Sequence, residues 1–265
     1  MRSVGFSQGL FAIATGSLAI LTLSLAYGDS ASGGPSSPWQ EAWVYGSTPL
    51  VLAASAGLFF SRTALTSALV IGAYQAIRAL TRVPQIFSTP LGVDAWYGFC
   101  EALTALAGAG TLYVMLRWQS RGSVMPVAGE RAVRVAQVLF GLCCVFYGWS
   151  HFAYAEYTAS MVPAWLPARL GFAYLTGLAH CAAGIGIIIG ILPRLAATLE
   201  AIMMSLFGLL VWVPSFFTQP RPRWATPPQN QWSELVVTLV LAASAWIVAA
   251  SLRDRSWGFV SRSSL

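Results

Sequence analysis

The sequence predicts an all-α integral membrane protein of eight transmembrane helices, arranged as two parallel-related four-helix bundle repeats. Three observations lead there. Of 265 residues, 57% are hydrophobic and only 9% are charged, against roughly 25% charged in an ordinary soluble domain, so most of the surface faces something other than water. The apolar residues gather into eight runs whose lengths approach or exceed the roughly 20 residues needed to cross hydrocarbon. The second half of the chain also rewrites the first, in order.

The spans fall at 5–27, 44–60, 63–81, 96–117, 132–150, 170–191, 195–214 and 232–252. Eleven tryptophans in a chain that is 13% aromatic suit the amphipathic belts at the two bilayer edges. The first span follows Met1-Arg2 and has a signal-peptide look, with small residues near Asp29, but the repeat gives it a structural partner and argues for its retention. With the N-terminus inside, ten arginines lie at cytoplasmic ends (Arg2, Arg62, Arg117, Arg121, Arg131, Arg134, Arg194, Arg253, Arg255 and Arg262), and five lie opposite (Arg78, Arg82, Arg169, Arg221 and Arg223). That bias predicts both termini in the cytoplasm of a bacterial inner membrane.

The repeat is carried by matched residues at offsets between 126 and 133. Gln8-Gly-Leu-Phe11 matches Gln137-Val-Leu-Phe140, Trp39 matches Trp165, and Arg62-Thr-Ala64 matches Arg194-Leu-Ala196. Val83-Pro84 matches Val213-Pro214, each with a second proline six residues on (Pro90, Pro220), and Glu101 matches Glu234. The order predicts two units, 1–122 and 123–265, fused head to tail; four helices per unit leave both the same way up, about an axis along the membrane normal. A proline removes a backbone donor and crowds the preceding turn, so Pro84 and Pro214 are expected to end or kink the third and seventh spans.

Ionisable groups within spans are costly and face a partner, a cavity or a path. Arg78 and Glu101 reach similar depths near the outer face, which predicts either an ion pair joining the third and fourth spans or two groups lining a polar pocket. His151 is placed at the outer end of the fifth span and His180 close to mid-membrane in the sixth. Glu200, two turns into the seventh span, is the nearest acid for His180, at a depth offset of about 8 Å that argues against a direct bond. The two histidines, one interfacial and one deep, fit a bis-histidine haem poorly. The four cysteines (Cys100, Cys143, Cys144 and Cys181) follow no metal or redox spacing, so no metal site is expected; Cys100, beside Glu101, is placed near the outer surface. No phosphate loop, nucleophile elbow or zinc-protease motif occurs, and the scattered arginines make no basic face for nucleic acid.

One stretch is recognisable. Gly148-Trp-Ser-His151-Phe152, Met161-Val-Pro163-Ala-Trp-Leu-Pro167, Thr176-Gly177, Ala183-Gly-Ile-Gly186 and Leu192-Pro193-Arg194-Leu-Ala196 together resemble the DoxX-like family of small membrane proteins, over roughly 135–252. The first half resembles it mainly through the internal repeat, as a degenerate copy lacking a counterpart to His151. One departure is His180, where many relatives carry Glu. The resemblance implies four-helix bundles and a redox neighbourhood, since the family is associated with a thiosulfate:quinone oxidoreductase.

A quinone-linked membrane subunit is therefore the leading expectation, with His151, His180, Glu234, Glu101, Arg78 and Glu200 as candidate contacts to quinone, protons or substrate, and quinone as the cofactor class. Any electrons from a thiol or thiosulfate donor would need a soluble or membrane redox partner, because no cofactor domain is present. Two alternatives stay open: a non-catalytic assembly or anchoring protein, and a small-solute or ion path between the repeats. Whether the chain is itself an enzyme, and whether it forms an oligomer, are left open by the sequence.

Overall fold

The computed structural model describes residues 2–31, 38–119, 125–218 and 228–258, with side chains described except at 2–4, 27–31, 40 and 228–230. Arg121, Pro220, Arg221, Arg223, Arg262 and the expected boundary between residues 122 and 123 lie outside them. All regular structure among the described residues is helical: α1 (Arg2–Ala31), α2 (Pro38–Gly57), α3 (Ala64–Ser88), α4 (Val93–Gln119), α5 (Val127–Ala153), a short α6 (Ala155–Met161), α7 (Arg169–Ile189), α8 (Pro193–Phe207), a π-helical turn (Gly208–Trp212), a short α9 (Val213–Ser215) and α10 (Pro228–Ser251).

Seven of these stretches are long and apolar enough to cross a membrane: α1, α3, α4, α5, α7, α8 through α9, and α10. The protein is a polytopic membrane protein. The expected span at 44–60 is the exception. α2 is a helix of 20 residues, but Gln40, Glu41, Ser47 and Thr48 lie in or just past its first half and Pro49 interrupts its backbone bonding. Its mostly apolar part begins only at Leu50, so the helix lacks an apolar window of full hydrocarbon length.

Neighbouring helices pack as two rings of five that share α4 and α10. One runs α1, α2, α3, α4, α10 and back to α1; the other runs α5, α7, α8, α10, α4 and back to α5. The first ring is filled by Phe11, Leu58, Ile71 and Leu112, all fully buried. The second is filled at its arginine-rich end by Phe140, Ile187, Val248 and Leu252.

Helices in lipid gain nothing from hydrophobic exclusion and associate through close packing and polar contacts. Glycine supplies that closeness here. On α5 and α7, Gly141 lies opposite Gly184, and Gly148 lies opposite Gly177, each pair seven residues apart on its helix. A Cβ at Gly184 would stand 2.4 Å from the Gly141 carbonyl oxygen, and one at Gly148 would stand 2.5 Å from that of Gly177. At the shared α4–α10 contact, a Cβ at Gly108 would meet Ser244 Cβ and Oγ at 2.8 Å.

The two prolines behave differently. α3 runs on through Pro84 to Ser88. Pro214 follows the π turn, in which the Val213 amide bonds back five residues to the Gly208 carbonyl, so the backbone widens just ahead of the residue that cannot donate. The turn from α7 to α8 is tight: Gly190 and Leu192 are both left-handed (φ 79° and 46°), and Pro193 opens α8.

Substitution should separate the packing glycines from the rest. Gly184→Ala and Gly148→Ala, facing backbone oxygen, are expected to cost about 1–3 kcal/mol each as overpacking, whereas Gly110→Ala, with nothing within 4 Å, should be neutral or mildly stabilising. Thermal unfolding in a mild detergent checks this, and equal effects at all three positions would refute it.

Candidate functional site

Above the filled half of the second ring lies a cavity of about 510 Å³. α5 contributes Tyr147, Ser150 and His151; α7 contributes Thr176 and His180; α4 and α10 contribute Tyr97, Glu101 and Glu234. Met161, Pro163 and Leu166, at the end of α6 and in the loop after it, cover one side, and the π turn supplies Leu210 to Trp212. Most of the wall is apolar. Several lining residues are exposed, among them Leu175 on α7 (58%), Leu199 on α8 (54%) and Leu206, and on α10 Glu234. The exposed leucines carry the cavity wall onto the flank of the bundle formed by α7 and α8.

At the back of the cavity the two histidine rings lie 5.1 Å apart, centroid to centroid, nearly perpendicular. Phe207 touches both, stacking on His151 at 5.9 Å. Gly148 and Gly177 let their helices close up within one turn of each imidazole.

His180 Nδ1 is 2.7 Å from Glu200 Oε1, and both side chains are about 1% exposed or less. An unpaired charge at that burial is expensive, so the pair favours its two neutral totals, imidazolium with carboxylate or imidazole with carboxylic acid. In both, Nδ1 is engaged by Glu200 and the other nitrogen carries a proton. His180 thus offers an Nε2–H donor. Glu200 Oε2 has no hydrogen-bond partner and is buried; the Cys144 thiol lies beside that carboxylate.

His151 is set the other way. Its Nδ1 is 2.9 Å from Thr176 Oγ1. The threonine hydroxyl already points at its own helix, 2.9 Å from the Phe172 carbonyl and 3.1 Å from that of Ala173. Thr176 Oγ1 therefore accepts from His151 Nδ1–H, which leaves Nε2 as an acceptor in the neutral ring. The tautomers follow from the hydrogen-bond pattern: one histidine gives a proton, and its neighbour can take one.

Of the six predicted contact residues, the cavity brings four together at its wall: His151, His180, Glu101 and Glu234. Glu200 lies directly behind His180. The expected depth gap between them came from helix ends set too far apart; from the observed ends, His180 is nine residues from Ile189 and Glu200 seven from Pro193, an offset of about 3 Å. Arg78 is not in the cavity wall. It makes no ion pair with Glu101; its Nη1 donates to Gln75 Oε1 at 3.2 Å, and both Arg78 and Arg82 stand near enough to act on Glu101 electrostatically. Arg82 lies against Gly98, one turn before Glu101.

Cys100 is buried rather than open to the outer surface, and its thiol faces that of Cys143 across α4 and α5. All four cysteines are free. No group of three or more His, Cys, Asp or Glu side chains placed to hold a metal ion occurs among the described residues. Sequence reasoning missed Tyr147, buried with its hydroxyl 2.9 Å from Thr104 Oγ1 and its ring against His180. Its position one turn before His151, directly after the apolar run 138–146, was the available signal.

A family model described as a domain of unknown function (DUF8561) matches residues 140–249. The match takes in His151, His180, Glu200 and Glu234 and stops short of Glu101. No curated protein and no solved structure matches the chain.

The buried pair has a definite signature in stability. Glu200→Leu or His180→Leu alone strands one partner and should cost about 3–5 kcal/mol, while the double leucine variant should recover much of that loss. Additive costs in a double-mutant cycle, read by thermal unfolding, would mean the two groups are not coupled.

Proposed function

We propose that the chain is a quinone-linked membrane subunit, whose side cavity receives the head of a lipid-soluble quinone from the bilayer. The carrying observation is the pairing of an exposed apolar flank with a donor and an acceptor nitrogen set 5.1 Å apart, ring to ring, on an apolar wall. A ligand entering from lipid needs apolar surface along its length and a few placed polar groups at its head, and the residues present fit that need. A quinone bound there would supply a two-electron, two-proton acceptor.

In this reading His180 Nε2–H donates to an oxygen of the ligand, with Glu200 holding the ring and sharing its proton. His151 Nε2 accepts from a hydroxyl at the same head, oriented by Thr176. Glu101 and Glu234, on α4 and α10 at the cavity's other wall, are the acids through which protons reach it. Tyr147 and Phe207 clamp the imidazoles and keep water from them. The DoxX-like resemblance of the second half supports a redox neighbourhood. The apolar cluster of Phe140, Ile187, Val248 and Leu252 lies between the cavity and the opposite end, which favours binding over passage of a solute.

The same proposal includes the architecture. Exchanging α1, α2, α3 and α4 for α5, α7, α8 and α10 leaves the pattern of packed neighbours unchanged, as expected of two parallel-related four-helix units, with α2 as the shortened eighth span. Of the arginines whose side chains are described, seven (Arg62, Arg117, Arg131, Arg134, Arg194, Arg253 and Arg255) lie at one end and three (Arg78, Arg82 and Arg169) at the other, which supports cytoplasmic termini in a bacterial inner membrane. Reporter fusions test this: one at 125 should read cytoplasmic and one at 222 external, and the reverse result would invert the assignment.

The functional test is direct. Protein purified gently with native lipid should show a quinone band in the reduced-minus-oxidised ultraviolet difference spectrum, and His180→Leu should weaken binding of a short-chain quinone about tenfold through loss of one buried hydrogen bond. A flat spectrum together with no binding of the short-chain quinone would leave an anchoring role in its place.

A further inference from the structure

At the arginine-rich end, a second cleft of about 420 Å³ opens between the first turns of α5, the α7–α8 turn and the end of α10. Arg134 and Arg255 line it, and no carboxylate does. Arg194 stands next to it, its guanidinium 4.0 Å from the Trp257 ring centroid and its Nη1 3.3 Å from the Arg255 carbonyl. Asp254, the acid next along the chain, lies 3.7 Å from Arg253 instead. We propose that this cleft binds the phosphate-bearing headgroup of an anionic phospholipid, whose acyl chains run along exposed apolar residues of the α7–α8 turn.

Three features make it more than a basic surface. Arg134 is half-buried and fixed: Nη1 donates to the Ile187 carbonyl at 2.7 Å, and Nη2 donates to that of Ile188. A guanidinium has five N–H groups in a rigid fork, so two bonds to the last turn of α7 and a longer one from Nη1 to Gln137 Oε1 (3.5 Å) hold it while the others remain for a ligand. Gln137, buried in the same wall, is held by Ser251 Oγ at 3.1 Å. α8 begins at Pro193, itself in the lining, so the positive end of its helix dipole adds to the same field.

Free phosphate and a lipid phosphate share that chemistry, and the rest of the wall distinguishes them. Ile191, Leu192, Pro193 and Leu252 make an apolar side, and Ile189 and Ile191, 59% and 50% exposed, continue it onto the flank where lipid chains lie. Phosphate alone has no use for that surface. A phospholipid uses both parts at once, and basic pockets between membrane helices hold anionic headgroups in this way.

The test uses the full chain, stripped of native lipid in mild detergent and offered equal dioleoylphosphatidylglycerol and dioleoylphosphatidylethanolamine, with retained lipid counted by native mass spectrometry. Preference for the anionic lipid is expected at about fivefold or more, the effect of one arginine at a lipid surface. Arg134 also ties down α7, so Arg255 is the informative position: Arg255→Gln should bring the ratio close to one. Arg131→Gln, which removes an exposed arginine outside the cleft, should leave it unchanged. Equal losses in the two variants would reduce the effect to general basic charge and overturn the site. In a parallel arm, inorganic phosphate should displace little of the retained lipid. Displacement at millimolar phosphate would make the cleft an oxyanion site and overturn the lipid assignment.

Discussion

The contact on which the second ring depends is the close approach of α5 and α7 through four glycines. In hydrocarbon that approach cannot be bought with water exclusion; it rests on backbone packed against backbone, at distances where a single methyl group would collide with a carbonyl. Its chemical product is the histidine pair. His151 is three residues beyond Gly148, and His180 is three residues beyond Gly177, so the spacing that brings the helices together also fixes the two imidazoles against each other. The short α7–α8 turn then returns the chain soon enough for Glu200 to reach His180. Loosening the glycine contact would move both rings and uncouple the acid from its partner.

The two rings share α4 and α10 yet differ inside. The first is occupied by Phe11, Leu58, Ile71 and Leu112, and it has no counterpart to His151. The second is filled only at its arginine-rich end. Glu101 and Glu234, at matching places in the two halves of the sequence, come from the two shared helices and both arrive at the histidine cavity. One acid from each half thus reaches the same cavity, and the first ring acts as a buttress that holds α4 and α10 in place behind it.

How much of this could be read from the residues varies with the physics involved. Helical class, membrane residence and most spans follow from composition and run length, because hydrocarbon admits few alternatives. At α2 the window at 44–60 counted apolar residues past the helix end at Gly57 and set aside the polar start. His151, His180, Glu101 and Glu234 stood out as polar groups in apolar segments, whatever fold they joined. The His180–Glu200 bond was hidden by an error of two residues at each end of one turn, because each residue shifts depth by about 1.5 Å. Arg78 illustrates another limit: equal depth on adjacent helices does not fix direction around the helix axis, and Gln75 took the guanidinium. The facing thiols of Cys100 and Cys143 depend on the α4–α5 crossing, which no local pattern encodes.

On the proposed reading, entry from the bilayer past Leu175 and Leu199 changes what concentration means for this protein. A site entered from water fills according to a ligand's aqueous activity, which for a long-chain isoprenoid is negligible. One entered from the side fills according to the ligand's abundance among the surrounding lipids, a two-dimensional mole fraction in which the tail's transfer from water, worth about 0.8 kcal/mol per methylene, has already been spent. Only the head has to be recognised. A modest set of polar contacts can then hold the site occupied, and its occupancy will track the composition of the leaflet more closely than anything dissolved on either side.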